Sequence, residues 1–333
     1  MKNLLYLSFI ILLFSCKKTP VDNSGNGNGN GNGNGNNNNP AIVFERFITP
    51  SIVNPLVTSF NNQHYIYVDT FPLKNKLFIF LPGTTGSPQF YKLIVKKAAS
   101  LGYHAIGLMY PNSSDLYTAA ATSSDNTQFG KCRQEIFDGT DQSTGVNVNF
   151  PNCIQRRLYD LLFYLQQQDT LHNWGQFISN NDVVWSKIVI AGHSQGGGHA
   201  LYISKQVSVE RAISFSSIDW NTTLARSADW VTQPGATDVS RLFSINGIGD
   251  QLFSYANVQT QLAEMGFAGP AVSIDSNLPP YSNSHTLTTT ATPATSVLFP
   301  DHNVTCLDAY VPKNNAGGAA DSFVKAWEYL IGN

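Results

Sequence analysis

Two kinds of apolar pattern recur along this chain, and each predicts a different element. The first is a short run that is apolar on every residue, as in Leu77-Phe78-Ile79-Phe80-Leu81 and Ile188-Val189-Ile190-Ala191. Strands buried on both faces read this way, because helices cover a parallel sheet from either side. The second has the period of a helix, with Phe90, Leu93, Ile94, Lys97 and Ala98 on one face and Gly102 placed as a stop. The same period returns at Ile154, Leu158, Leu161, Leu162 and Leu165, at Leu262 and Met265, and at Phe323, Val324, Trp327, Leu330 and Ile331. Further strands are expected at His104–Tyr110, Ala212–Phe215, Arg241–Ile245 and Ala271–Ile274. Strand and helix therefore alternate, which predicts an α/β fold: a mostly parallel central sheet with helices on both faces and right-handed crossovers. No internal repeat is present.

Two polar stretches break the alternation. Residues 111–151 are rich in Ser, Thr, Asn and Asp and read as an irregular excursion, long enough to serve as a lid or binding loop. Ser282-Asn283-Ser284-His285-Thr286-Leu287-Thr288 alternates as an exposed hairpin would.

The N-terminus is patterned differently again. Leu4 to Phe14 is an apolar run too short for the ~20 residues of a membrane-spanning helix. It closes on Leu13-Phe14-Ser15-Cys16, which resembles the lipobox of bacterial lipoproteins. The resemblance implies a signal peptide over residues 1–15 and a new N-terminus at Cys16 carrying a lipid such as palmitate. It also implies an extracytoplasmic location, anchored to a bacterial membrane. Lys17 and Lys18 with no early aspartate fit delivery to the outer membrane. Asn23 to Asn39 is almost only Gly and Asn, with nothing apolar to offset the entropy of ordering it. Residues 16–40 are accordingly read as a disordered tether with an end-to-end distance of about 25–30 Å. Residues 41–333 fit one large domain.

Composition narrows the partners. A net charge of −2, with 13% charged residues, gives no basic footprint for nucleic acid. Cys132, Cys153 and Cys306 lack zinc-site spacing, and no metal or cofactor is implied. An oxidising compartment permits one disulfide, with Cys132 to Cys153 favoured because the two bracket a polar segment.

The chemistry concentrates where the second apolar run stops, at Gly192-His193-Ser194-Gln195-Gly196. Gly-x-Ser-x-Gly between a β-branched strand and a helix-compatible segment predicts a sharp strand-to-helix turn with the serine at its apex. A serine hydroxyl is a weak nucleophile and needs a base, which in turn needs an orienting carboxylate. In chain order the acid and base should follow Ser194. His199 sits too early, which leaves His302 in Pro300-Asp301-His302-Asn303 as first candidate and His285 as alternate. Asp250, after Ile245-Asn246-Gly247-Ile248-Gly249, is the first candidate acid, and Asp219 after the preceding strand is the alternate. The amides of Gln195 and of Thr84, in Pro82-Gly83-Thr84-Thr85-Gly86, are the expected oxyanion donors. Phe90, Tyr91, Tyr110 and Trp220 are candidates for an apolar pocket, or for plain core packing.

On these residues the chain, from Ala41 to Asn333, resembles the α/β-hydrolase superfamily, with an elbow similar to those of secreted lipases and cutinase-like esterases. The family roles fall on Ser194, Asp250 and His302. Pro82-Gly83 replaces the usual His-Gly of the oxyanion loop, and no His-Gly-Gly-Gly run is present. The resemblance implies a serine carboxylester hydrolase acting through an acyl-enzyme on a small-molecule, lipid or polymer ester. An exopeptidase or amidase, or a non-catalytic binding lipoprotein, is the alternative on the same fold. Oligomeric state is left open.

Overall fold

The computed structural model describes residues 43–69 and 73–332. The expected signal peptide of residues 1–15, lipidation site at Cys16 and tether of residues 16–40 lie outside the described residues. Among the described residues no helix is long and apolar enough to cross a membrane.

A nine-stranded sheet organises the domain. Its strands are β1 (Phe44–Ile48), β2 (His64–Val68), β3 (Leu77–Leu81), β4 (His104–Gly107), β5 (Ile188–His193), β6 (Arg211–Phe215), β7 (Leu242–Gly247), β8 (Val272–Ser273) and β9 (Thr286–Thr289). They lie in the order β1-β2-β4-β3-β5-β6-β7-β9-β8, antiparallel at the β1-β2 and β2-β4 pairings and parallel at every other. This mostly parallel sheet, with its order reversal around β3 and β4, is the α/β arrangement that the alternation predicts.

The all-apolar runs occupy the middle of the sheet because side chains of period two leave by opposite faces. Phe78, Phe80, Val189, Ala191, Ile213 and Phe215 pack under α1 (Lys92–Ser100) and the C-terminal α7 (Asp321–Ile331). Leu77, Ile79, Leu81, Ile188, Ile190 and Ala212 face α3 (Gln128–Asp138), α4 (Ile154–Gln168) and α5 (Gln195–Gln206). Each Val, Leu, Ile or Phe side chain among them, taken fully out of water, contributes about 1.5–3 kcal/mol. α6 (Tyr255–Glu264) adds Val258 and Leu262 to a small third cluster with Ile218.

Three expectations are corrected. Residues 111–151 are not an irregular loop, for they hold α2 (Asp115–Ala120) as well as α3. Leu116, Ala120, Phe129, Cys132, Ile136 and Phe137 from these helices are buried. Their helical period is masked in the sequence by the polar residues of the exposed faces. The Ser/Thr-rich stretch is no exposed hairpin: Thr286–Thr289 form β9, every residue buried, inserted between β7 and β8. β-branched threonine fills a buried strand as valine does when its hydroxyl is bonded, as Thr289 is to Asp275 at 2.6 Å. Cys132, Cys153 and Cys306 are buried free thiols, and Cys132 pairs with the Ser143 hydroxyl at 3.2 Å rather than with Cys153.

Candidate active site

The β5-to-α5 turn is built by the absence of two side chains. A Cβ on Gly192 would lie 2.3 Å from the carbonyl carbon of Gly196, and one on Gly196 would lie 2.1 Å from the Leu81 carbonyl oxygen. Only glycine lets helix, elbow strand and β3 approach so closely. Between them Ser194 is held at φ 53° and ψ −118°, a left-handed conformation that costs a serine of order 1–3 kcal/mol. Its N–H donates to the Phe215 carbonyl at 2.8 Å and its own carbonyl accepts from Gly198 at 3.1 Å, so the surroundings impose the strain.

Asp250 stands at the end of the turn after β7, at the same sheet edge as Ser194. Its Oδ1 accepts from the N–H groups of Leu252 and Phe253 at 2.8 and 3.1 Å, and its Oδ2 lies 2.7 Å from His302 Nδ1. Both side chains are 4% exposed. A carboxylate beside Nδ1 assigns the hydrogen to that nitrogen and leaves the lone pair on Nε2. The turn carrying His302 packs directly on the turn carrying Asp250, with no room for a Cβ on Gly247, which would lie 2.2 Å from the Asp301 carbonyl oxygen. Gln251 Oε1 accepts from the N–H groups of Asp301 and His302 at 3.2 and 3.3 Å. His193, adjacent to Ser194 in the chain, packs its ring 4.8 Å from the His302 ring.

The alternates lie elsewhere. His285 precedes β9, pairing through its carbonyl with Ser244 near the start of β7, and so sits toward the sheet edge opposite Asp250. Its Nδ1 is bonded to the Leu242 carbonyl at 3.0 Å, and its ring stacks on Phe243. Asp219 is fully buried and forks onto the Arg133 guanidinium, with Trp230 Nε1 donating to it at 2.9 Å. Burial alone would discharge Arg133; the Asp219 carboxylate outweighs it and holds the guanidinium pKa above its ordinary value. Arg133 also donates to the Gln195 carbonyl at 3.1 Å, tying α3 beneath the start of α5. His199, on α5, packs edge-on to Tyr110, and burial followed by the Arg133 charge holds its pKa well below the ordinary value.

The loop after β3 lies against Ser194, since a Cβ on Gly83 would come 3.2 Å from Ser194 Cβ. Its amides are accounted for one by one. Gly83 donates to Tyr91 Oη at 3.1 Å, Thr85 to the Asn112 carbonyl at 2.8 Å and Gly86 to the Gly83 carbonyl at 2.9 Å. Among the described residues the N–H groups of Thr84 and Gln195 have no hydrogen-bond partner. A helix N-terminus always leaves such amides open, and a buried one calls for an acceptor. The two residues are also joined through their side chains. Turned so that its nitrogen has acceptors, the Gln195 amide donates to Ser113 O and Thr84 Oγ1 at 3.0 Å and to Asn112 O at 3.2 Å.

The expected pocket aromatics divide. Tyr91 and Tyr110 are buried, with the Tyr110 hydroxyl on the Pro82 carbonyl at 2.8 Å; Trp220 packs with the Ile218 cluster, and Phe90 is 53% exposed. Sequence reasoning missed Arg133, His193, Asn112 and Gln251, and gave Tyr91 only as a pocket or core aromatic. Only His193 carried a signal, its place inside the elbow motif. Among the described residues no three His, Cys, Asp or Glu side chains cluster as a metal site.

No family model and no curated protein matches the chain. Among solved structures it is similar to MGS-M1, an α/β hydrolase enzyme from a Medee basin deep-sea metagenome library. The identity is 16% over 68% of this chain and 78% of that one, with a TM-score of 0.35. It is also similar to a Klebsiella pneumoniae protein assigned as a dienelactone hydrolase, at 11% identity over 86% of this chain and 95% of that one, with a TM-score of 0.40. Sheet order and elbow geometry, rather than these distant likenesses, carry the fold.

Proposed function

We propose that the protein is a serine hydrolase of carboxylic esters, with Ser194 as nucleophile, His302 as base and Asp250 as orienting acid. The observation that carries the reading is the Asp250–His302 bond of 2.7 Å at the sheet edge where Ser194 is strained into an elbow. His302 Nε2 takes the Ser194 proton as Oγ attacks the ester carbonyl. The N–H groups of Thr84 and Gln195 receive the oxyanion, each worth ~10²–10³ in rate. His302 then gives the proton to the leaving alcohol, and the acyl-enzyme is hydrolysed by a water that His302 deprotonates. The substrate would be a small-molecule, lipid or polymer ester, and the protein would act outside the cytoplasm, held to a bacterial membrane by lipid on Cys16.

A fluorophosphonate probe should label the wild-type protein covalently and leave Ser194→Ala unlabelled. Absence of wild-type labelling, or equal labelling of the variant, removes the proposal. Turnover of p-nitrophenyl esters but not of aminoacyl anilides is expected, and the reverse preference would transfer the site to peptide or amide chemistry.

A further inference from the structure

Two buried groups that the proposed reaction does not use, Tyr91 and His193, stand between its three working loops. They are 2% and 3% exposed. The Gly83 N–H donates to Tyr91 Oη at 3.1 Å, Tyr91 Oη lies 3.0 Å from His193 Nδ1, and His193 Nε2 lies 3.0 Å from the His302 carbonyl oxygen. The two ends of this chain dictate every direction in it. An amide N–H only donates and a carbonyl only accepts. Tyr91 therefore accepts from Gly83 and gives its own proton to Nδ1, and Nε2 carries the hydrogen given to His302. The imidazole is a neutral Nε2–H tautomer.

We propose that His193, ordered by Tyr91, is a positioning residue that holds the main chain of the base against the nucleophile and the oxyanion loop. This rests on the serine-hydrolase reading. The base turn needs such a hold: it is one helical turn, Pro300–Asn303, entered through Leu298 and Phe299 at φ 37° and 54°. Gln251 grips its N–H groups from the acid side, and His193 grips the His302 carbonyl from the elbow side. The His193 ring, tilted 47° to the His302 ring, also limits how that ring can turn. Burial first, and then the neighbouring His302, push the His193 pKa down to about 3. The groups facing it are Tyr91 and His302, with Asp250 behind His302 and Cys306 and Asp308 behind Tyr91. Protonating His193 would take away the acceptor for Tyr91 and set a cationic ring beside the one that has to become cationic when it accepts the serine proton. Two histidines share the site, and the network reserves proton transfer for one.

The test compares His193→Gln with His193→Phe. A glutamine amide carries one acceptor and one donor, as the neutral imidazole does, whereas phenylalanine keeps a ring and neither atom. H193F should lower kcat about 10²-fold with KM unchanged, the scale of a small misplacement of a reacting group. H193Q should restore most of that loss. Substrate-free nitrogen NMR should show His193 as the Nε2–H tautomer over about pH 5–8. The His302 Nδ1–H proton should be protected from exchange in wild type and H193Q and exchange rapidly in H193F.

Equal rates and equal protection in H193F and wild type would overturn the proposal, as would H193Q no better than H193F, or an Nδ1–H tautomer for His193. If the fluorophosphonate probe fails on wild type, the hydrolase reading falls and the spectra alone decide the positioning role. Normal labelling with an unchanged H193F removes only this inference. Should H193F not fold, Tyr91→Phe takes its place: it removes the hydroxyl that orders Nδ1 while the His302 carbonyl still holds the Nε2 hydrogen, so an unchanged rate with unchanged protection of the His302 Nδ1–H there is equally decisive against the proposal.

Discussion

Replacing Asp250 by Asn exchanges one carboxylate oxygen for an NH2 group at nearly constant shape. The amide oxygen can keep the bonds from the Leu252 and Phe253 N–H groups at 2.8 and 3.1 Å, so the acid turn survives. The NH2 group then faces His302 Nδ1, 2.7 Å away. A donor at that place makes Nδ1 the acceptor and moves the ring hydrogen to Nε2, the atom that receives the serine proton in the proposed mechanism. The equivalent exchange in a serine-protease triad lowers kcat by about 10⁴, or ~5–6 kcal/mol of barrier. Asp219→Asn is the built-in comparison. It strips the counter-charge from Arg133, which has a fully buried side chain, and breaking such a pair costs about 3–5 kcal/mol of stability. Against a total of roughly 5–15 kcal/mol this should show as a lowered urea midpoint. Kcat on p-nitrophenyl acetate and urea unfolding, measured on both variants, separate the roles. D250N should be folded and inactive, D219N destabilised with the folded fraction still active. A D250N enzyme keeping more than about a tenth of wild-type kcat contradicts the assigned tautomer. So does a D219N enzyme of normal stability and abolished turnover.

Other consequences follow from single contacts. Gly196→Ala drives a methyl to within 2.1 Å of the Leu81 carbonyl oxygen, so backbone must move; thermal unfolding should report a loss of at least the ~1–3 kcal/mol of ordinary overpacking. An unchanged Tm with normal probe labelling would show that the elbow tolerates a Cβ. His64 is buried, its Nδ1 accepting the Met109 N–H at 2.9 Å, and burial followed by the Arg157 charge lowers its pKa from 6.5 to about 3. Its folded pKa is the depressed one, so the unfolded chain takes up the proton first. Stability is whole above about pH 6.5 and is lost as pH falls toward 3, by roughly 2 kcal/mol at pH 5. Buried His193, His199 and His104 act in the same direction, so urea midpoints at pH 7.5 and 5 should differ by at least that much, and His64→Gln should shrink the difference by roughly 2 kcal/mol.

Ser194, Asp250 and His302 stood out as candidates because each occurs in a local context that chemistry restricts. Gly192 and Gly196 around Ser194 report a turn that no other residue permits, and Asp250 and His302 follow it in the acid-then-base order that the fold calls for, an order that Asp219 and His285 share. The sheet's centre was legible for the same reason, since a strand covered on both faces must be apolar throughout. α2 and α3 were not, because a helix half exposed on a polar surface shares its composition with a loop. β9 was hidden likewise: threonine satisfied by internal bonds reads as a solvent-facing residue until its partners are known.

What the chain alone determined is a set of residue types at spacings that only one kind of turn and one kind of sheet can use. Sequence ranked Asp250 over Asp219 and His302 over His285 only by position after their strands, because the members of each pair have similar local surroundings. Tertiary structure separated them by supplying partners distant in the chain. Arg133, 86 residues away, neutralises Asp219. Strand register carries His285 toward the opposite edge of the sheet. His193 shows the same division within one residue: its position beside Ser194 is a fact of sequence, but its protonation state belongs to Tyr91 and His302, and hydrogen-bond direction is decided only where all three meet.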